Sequence, residues 1–473
     1  MCLKHERMST SVVWAGLVAA LSLLSAAPVS ASVESYVREA LNANPGLQAE
    51  LEDAVASAGA LDEARAQRLP QLSFSARYTR SEGGRSIDFP AGDLLNPVYA
   101  TLNGLTAGTP GATNFPAIEN QSVPLLRRRE QDTRLSLSTP LFAPAIVALV
   151  DVRAAELRAD QAQTEAAARQ LVRALKGAYF GALQARAQVG ILEASLGTLA
   201  ENVRVSRALL EAGKVTRDEG LRAEAERLAA VQDLDAARTV LGDALRQLNW
   251  LRGAELDAEL RLDDPLTLSL PPPAAPDGTR DPTLRQLEAS VEAARAGERL
   301  ARADWLPTLS LGADAGYEGE EYEFDDEHDF ATVSLVASWT LFDSGARRAA
   351  RDRARAQATA LRHRQTDLDR QLELARRSAD ENLATALRGV ETAGARLRAA
   401  EEAFRIAERK RGAGSLNQVD FIDAERTRTQ ARLGRVLAHC AALDRAAERE
   451  YAYSSYPLPD RWLADAAPSG ETR

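Results

Sequence analysis

The 473-residue chain reads as a mixed α and β membrane protein whose β-barrel needs more than one copy of the chain. Three observations carry that reading. The N-terminus has the make-up of an export signal. The rest of the chain is one unit written twice. Each copy pairs two alternating strand segments with an unusually long heptad helix.

The composition supports it. Charged residues are 27% and apolar residues 45%, so the chain is neither a disordered tail nor a polytopic helical membrane protein. Its formal charge is −10, from 58 basic against 68 acidic residues, which argues against a nucleic-acid binder needing a basic face. Aromatics are only 5%, and Ala, Leu, Arg and Glu dominate, as in long helices packed through small side chains.

Lys4 and Arg7 precede an apolar run from Val12 to Ala27, and Val29-Ser30-Ala31 offers small residues for cleavage. Residues 1–31 are therefore expected to be a signal peptide. The run is shorter than the roughly 20 residues of a membrane span. Cys2 falls within the expected signal peptide, leaving Cys440 as the one mature cysteine and no intrachain disulfide.

The repeat shows as ordered landmarks. Arg68-Leu69-Pro70-Gln71-Leu72 recurs as Trp305-Leu306-Pro307-Thr308-Leu309, and Asn44-Pro45 as Asp281-Pro282, both at an offset of 237. Pro140-Leu141-Phe142 recurs as Thr340-Leu341-Phe342 at 200, and Ala212-Gly213 as Ala413-Gly414 at 201. The first copy thus carries an extra stretch between positions 80 and 134. The predicted organisation is a first repeat over 32–264, a Pro-rich linker over 265–281, a second repeat over 282–456 and a mobile tail over 457–473.

Each copy reads helix, strand, loop, strand, long helix, turn, helix. Residues 33–67 are helical up to Pro70. Leu72, Phe74, Ala76 and Tyr78 alternate with Ser73, Ser75, Arg77 and Thr79 in a two-faced strand. The Gly-, Pro- and Asn-rich residues 81–130 read as a loop, and Leu135 and Leu137 as a second strand. In the second copy, Leu309 to Tyr317 and Val333 to Leu341 alternate likewise. Between them, Glu318 to Asp329 holds eight acidic residues in twelve, suited to a solvated loop or to oxygen ligation of a divalent cation.

Residues 144–210 form a helix of about 100 Å at 1.5 Å per residue. Its seam steps by 4 and 3 from Leu171 and Leu175 to Ser206 and Leu210, and the second copy repeats it from Leu368 to Ala407. Return helices are expected over 216–250 and 417–453. By summed length, 33–67 with 417–453, and 216–250 with 282–304, each match one long helix, which suggests those pairs stack end to end.

Four strands cannot close a barrel, and an open edge is not tolerated in lipid. With strands apolar on one face and Ser/Thr-rich on the other, several chains must contribute. Three would supply twelve strands, enough for a channel.

These features, in order and twice over, resemble the TolC-type outer-membrane efflux and secretion channels of Gram-negative bacteria, across about residues 33–455. The stretch Val419-Asp420-Phe421-Ile422-Asp423-Ala424 matches as well. The resemblance implies a homotrimer: a 12-stranded outer-membrane β-barrel continuous with a periplasmic α-helical coiled-coil barrel, docked on a periplasmic adaptor and an inner-membrane pump or ABC transporter. The tunnel's inner end would lie at the helical turns, with Gly213, Val215, Thr216, Gly414, Leu416 and Asn417 as adaptor contacts. Glycine also suits a simple reversal, and Thr216 and Asn417 suit helix caps. Asp420 and Asp423, three apart on one helix face, match the family's entrance aspartates, with Glu219 as the first-copy counterpart of Asp420. Such rings favour cations. The arginine and tyrosine that shut the family's entrance are matched here by Leu416 and Arg411, so that network does not carry over. Arg217, Arg409 or Arg411 could pair instead with Asp218 or Asp420.

Nothing catalytic is legible: there is no nucleophile elbow, phosphate-binding glycine loop or paired-Cys site. His5, His328, His363 and His439 lack metal-ligand spacing. The expectation is a passive exit duct without cofactor, metal or nucleic acid. The competing expectation is a periplasmic coiled-coil scaffold with no pore.

Overall fold

The computed structural model describes residues 33–111, 113–270, 280–322, 325, 327–413 and 415–463. The expected signal peptide, the middle of the linker and Gly414 lie outside the described residues. Strands and long helices occupy separate ends of the molecule. In chain order the elements are α1 (Val33–Ala43), α2 (Pro45–Ala66), β1 (Gln71–Arg80), β2 (Ser86–Phe89), α3 (Ala91–Thr106), β3 (Gln121–Pro124), β4 (Arg129–Phe142), α4 (Pro144–Glu211), α5 (Arg217–Leu251), α6 (Pro282–Ala303), β5 (Thr308–Gly319), β6 (Asp329–Ser338), α7 (Ala346–Gly412) and α8 (Gln418–Ala452).

Both first helices start from the same local chemistry. The Asn44 side chain accepts from the Leu47 amide, with Pro45 at the first helical position. Asp281 accepts from Thr283 and Leu284, with Pro282 in the same place. A proline there loses no helical hydrogen bond, and its φ is already helical. The first segment breaks at Asn44 into α1 and α2, so it is two helices rather than one.

Four strands form one antiparallel sheet in the order β1-β4-β5-β6. Its register sorts the side chains by polarity. Leu72 lies opposite Leu137, Leu137 opposite Ala313, and Ala313 opposite Val333. One residue along, Ser73, Ser136, Asp314 and Thr332 line up on the other face. Strand residues alternate sides, so every rung repeats the separation. The apolar face is uncovered: Leu72 is 65% exposed, Phe74 70% and Val333 77%. β6 ends at Ser338, and Trp339, Leu341 and Phe342 continue beyond it without pairing.

The expected loop over 81–130 contains structure. β2 and β3 form a two-stranded antiparallel ribbon, and α3 lies between them in the chain. Side-chain amides hold it. Asn96 donates to the Ile118 carbonyl and accepts from its amide, both at 2.8 Å. Asn103 does the same with Phe115, at 2.9 and 2.8 Å.

α4 is 68 residues long and α7 is 67, each near 100 Å at 1.5 Å per residue. The seams behave as the heptads require. Leu175, Ala182, Leu192, Leu199 and Val203 are buried on α4, and Ala379, Leu383, Val390, Ala400 and Phe404 on α7. The stacking differs from the length-matched pairs. The end of α5 meets the start of α2: Asn44 donates to the Leu251 carbonyl at 2.7 Å. There Gly253 has φ +73°, and a Cβ would sit 2.4 Å from the Ala43 carbonyl oxygen. The end of α8 meets the start of α6, where Ser454 donates to Asp281 at 3.2 Å. Each short helix therefore stacks on one from its own half of the chain. Summed length cannot see this; a return helix must first pack antiparallel on its own long partner, and that fixes where it ends.

The main core sits where the stacked helices meet. Val37, Leu41, Leu175, Tyr179, Leu183 and Leu248 are buried there. Charge is paired around it: Arg169 and Glu165 at 2.8 Å, Lys176 and Glu450 at 2.6 Å, and Arg449 and Asp380 at 2.6 Å. The tail expected from residue 457 is packed over its first part. Leu458 and Trp462 are buried against this core, the latter in a 3₁₀ turn, because an indole removed from water outweighs the entropy of ordering a short segment. Residues 464–473 lie outside the described residues.

Candidate functional site

The site predicted from sequence is the tip, where α4 turns into α5 and α7 into α8. At the first turn the Lys214 amide donates to the Leu209 carbonyl and the Gly213 amide to Leu210, both at 2.9 Å. Gly213 has φ +69°, the left-handed position this closure demands. At the second, the Ser415 amide reaches the Lys410 carbonyl at 2.9 Å, the same five-residue span as at the first turn. Asn417 caps α8 by accepting from the Asp420 amide at 2.8 Å. Thr216 occupies the cap position of α5 but makes no capping bond; its hydroxyl donates to the Asp218 carboxylate instead. That bond holds the Asp218 carboxyl below its ordinary range. Val215 and Leu416 are half-buried beside the turns.

Arg411 is the centre of the tip. Its side chain is 9% exposed, and it reaches all four helix ends. It donates to Ser206 of α4 at 3.2 Å, to the Leu416 carbonyl at 3.3 Å and to Gln418 of α8. It also pairs with Glu219 of α5 at 3.8 Å. The guanidinium fork suits this task because it offers donors in several directions from one rigid plane. The expected partners Asp218 and Asp420 are not the ones it takes. Asp218 faces Arg222 at 3.7 Å. Glu219 is thereby tied to Arg411, whereas the exposed Asp420 and Asp423 have no ion pair among the described residues.

A second layer lies about two turns further in. Glu425 is 2% exposed and accepts from Ser195 at 2.9 Å and Thr429 at 3.1 Å. Arg428 pairs with it and lies 3.5 Å from the centre of the Phe404 ring. Burial pushes the Glu425 carboxyl above its ordinary range and the Arg428 guanidinium below its own. Phe404 and Phe421 meet with ring centres 5.7 Å apart. Sequence reasoning missed this layer and the role of Gln418. The available signal was polar residues in or beside an apolar seam, Ser195 and Ser206 above all.

No group of three or more His, Cys, Asp or Glu among the described residues is placed to hold a metal. Cys440 is buried, its thiol pushed up to about 11 by burial alone. No described helix is long and apolar enough to cross a membrane.

An open four-stranded sheet, apolar on one face and joined to helices near 100 Å long, defines a class of trans-envelope channel proteins. The chain belongs to the outer membrane efflux protein family, whose pattern matches residues 36–254 and 279–448. It is an outer-membrane protein of the Gram-negative envelope that extends into the periplasm, and the family is one of channels rather than enzymes. The alkaline protease secretion protein AprF of Pseudomonas aeruginosa is 33% identical over 186 residues, a match spanning 37% of this chain and 38% of that protein. The fold is shared with the outer-membrane protein VceC of Vibrio cholerae, at TM-score 0.71 and 17% identity over 89% of this chain and 96% of that one. The outer-membrane channel CmeC of Campylobacter jejuni matches at TM-score 0.73 and 15% identity, over 89% and 85%.

Proposed function

We propose that three copies of this chain close a twelve-stranded barrel in the outer membrane and form the passive exit duct of an efflux pump or a type I secretion system. The observation that carries the reading is the sheet itself. Its two outer strands, β1 and β6, have free edges, and its apolar face is uncovered. Neither is tolerable for a single chain in lipid, and both are resolved when β6 of one chain pairs with β1 of the next. A soluble scaffold has no use for that face. The repeat, with its two equivalent helix starts and paired turns, supplies four strands and four helical columns per chain.

The duct has no energy source of its own in this reading. It docks by its tip turns on a periplasmic adaptor and draws on an inner-membrane pump or ABC transporter. Asp420 and Asp423 of three chains ring the inner mouth, and Arg411 with Glu219 ties the tip together behind them. The match to a protein named for protease secretion favours polypeptides among the cargoes, with small molecules as the other class. Insertion of the purified protein into planar lipid bilayers tests the duct. Discrete conductance steps support it; protein that inserts yet carries no current overturns it.

A further inference from the structure

The helices of one chain form a layer with two free edges. Across it run α2 stacked with α5, then α4, then α6 stacked with α8, then α7. Formal charge is distributed over that layer in a pattern the duct does not require. The inner columns are close to neutral: α4 has eight basic and seven acidic residues, α6 four and three, α8 six and six. The edges are not. α7 carries 17 Arg and Lys against 10 Asp and Glu, a net +7. On the opposite edge α2 is −4, from five acids and Arg65, and α5 is −2, from seven acids and five arginines.

The imbalance is sharpest in the half of α7 next to the barrel, where residues 346–377 hold ten arginines and four acids. Arg348, Arg355, Arg362, Arg370 and Arg377 recur at seven or eight residues, so they share one stripe. Arg348 and Arg377 pair with Asp352 and Glu373 of the same helix. Arg355, Arg362 and Arg370 are exposed and have no ion pair among the described residues. Arg347 and Arg348 also stand in the first turn of α7, where the helix dipole disfavours a cation. On α2, Glu52, Ala56, Gly59 and Glu63 step by 4, 3 and 4 along the side opposite buried Leu47, Ala54 and Leu61. All four are exposed, and neither glutamate has an ion pair among the described residues.

We infer that the trimer closes head to tail through an electrostatic seam: the arginine stripe of α7 in one copy lies against the Glu52–Glu63 face of α2 in the next. The inference rests on the barrel reading above. Four residues join α2 to β1, and seven join β6 to α7. Pairing those two edge strands between copies therefore brings α2 and α7 to the same seam. Like-with-like contact would place arginine against arginine, so the charge pattern rejects a two-fold dimer and favours the heterologous contact that closes a ring.

Charge reversal tests it. R355E/R362E/R370E and E52R/E63R are made separately and together in the full-length protein, and the oligomer is tracked by native mass spectrometry in detergent at low salt. Each separate set is expected to raise the dissociation midpoint at least tenfold, and the combined set to restore most of it. Wild type should weaken as salt shortens the screening length from about 10 Å to about 3 Å. A wild type that is monomeric throughout overturns the duct reading and this seam together. A trimeric wild type unmoved by either set, or weakened without rescue by the combination, overturns the seam alone. So does an arginine set that keeps the trimer but loses binding to phosphatidylglycerol vesicles, which would assign the stripe to lipid. Should a separate set fail to fold, the combined set decides, since only a true seam is restored by it.

Discussion

Replacing Arg411 with alanine is expected to release the tip. The side chain is 9% exposed and joins Ser206, Leu416, Gln418 and Glu219, so its loss unties four helix ends at once. Hydrogen bonds to a charged group contribute about 1.5–3 kcal/mol each, before solvent replaces what it can reach. The Glu219 contact is long, at 3.8 Å, and that carboxylate is 28% exposed, so it adds little. Gln418 keeps its bond from Ser206 at 3.3 Å, which recovers part of the loss. The net is about 2–3 kcal/mol, or roughly a 30- to 150-fold shift between a tied and a released tip. Single-channel recording in planar bilayers reads this as open probability, which should rise steeply for R411A. R411K should fall between, because an ammonium is a point charge without the fork. An R411A channel whose open probability matches wild type would refute the reasoning, and Arg411 would be a packing residue only.

Three further outcomes are expected. If three chains ring the mouth as proposed, D420A/D423A should abolish block by a trivalent cation such as hexaamminecobalt, because six carboxylates would be lost; unchanged block would remove them from the entrance. W462A should cost about 3–5 kcal/mol in chemical denaturation, as for other fully buried aromatic residues; wild-type stability would mean the C-terminal segment is not docked. His439 is buried with its ring bonded to the Leu268 carbonyl at 3.1 Å, and burial holds it below its ordinary value of 6.5. The unfolded chain then binds a proton that the folded one refuses, so stability is full above about pH 6.5 and falls as pH drops below it. H439Q should flatten that fall; an identical pH profile would show that His439 does not contribute to it.

Much of the fold could be read in advance because it is periodic. The heptad seams of α4 and α7, the alternation of β1 and β4 to β6, and the Asn44-Pro45 and Asp281-Pro282 starts are all local signals of burial or capping. α3 could not be read. It contains Pro97 and sits among Gly and Asn, and it is held by Asn96 and Asn103 clasping backbone 12 to 22 residues away. The stacking of α2 with α5 and α6 with α8 was equally hidden, because length is blind to which ends meet. At the tip, the turns and the Asn417 cap could be inferred from residue type. The partners of Arg411 could not: they come from three other helices, and one arginine in a basic last turn beside Arg409 and Lys410 ordinarily reads as a C-terminal charge. Trp462 was lost among the prolines and charges of the last residues, where only the tertiary contact reveals a buried indole.

The open sheet of a single chain makes the most direct demand. Extracted in mild detergent at low salt and weighed with the detergent mass subtracted, the mature protein should be a particle of three chains at all concentrations above its dissociation midpoint. A single chain, stable in water with no detergent at all, would contradict the barrel and everything built on it.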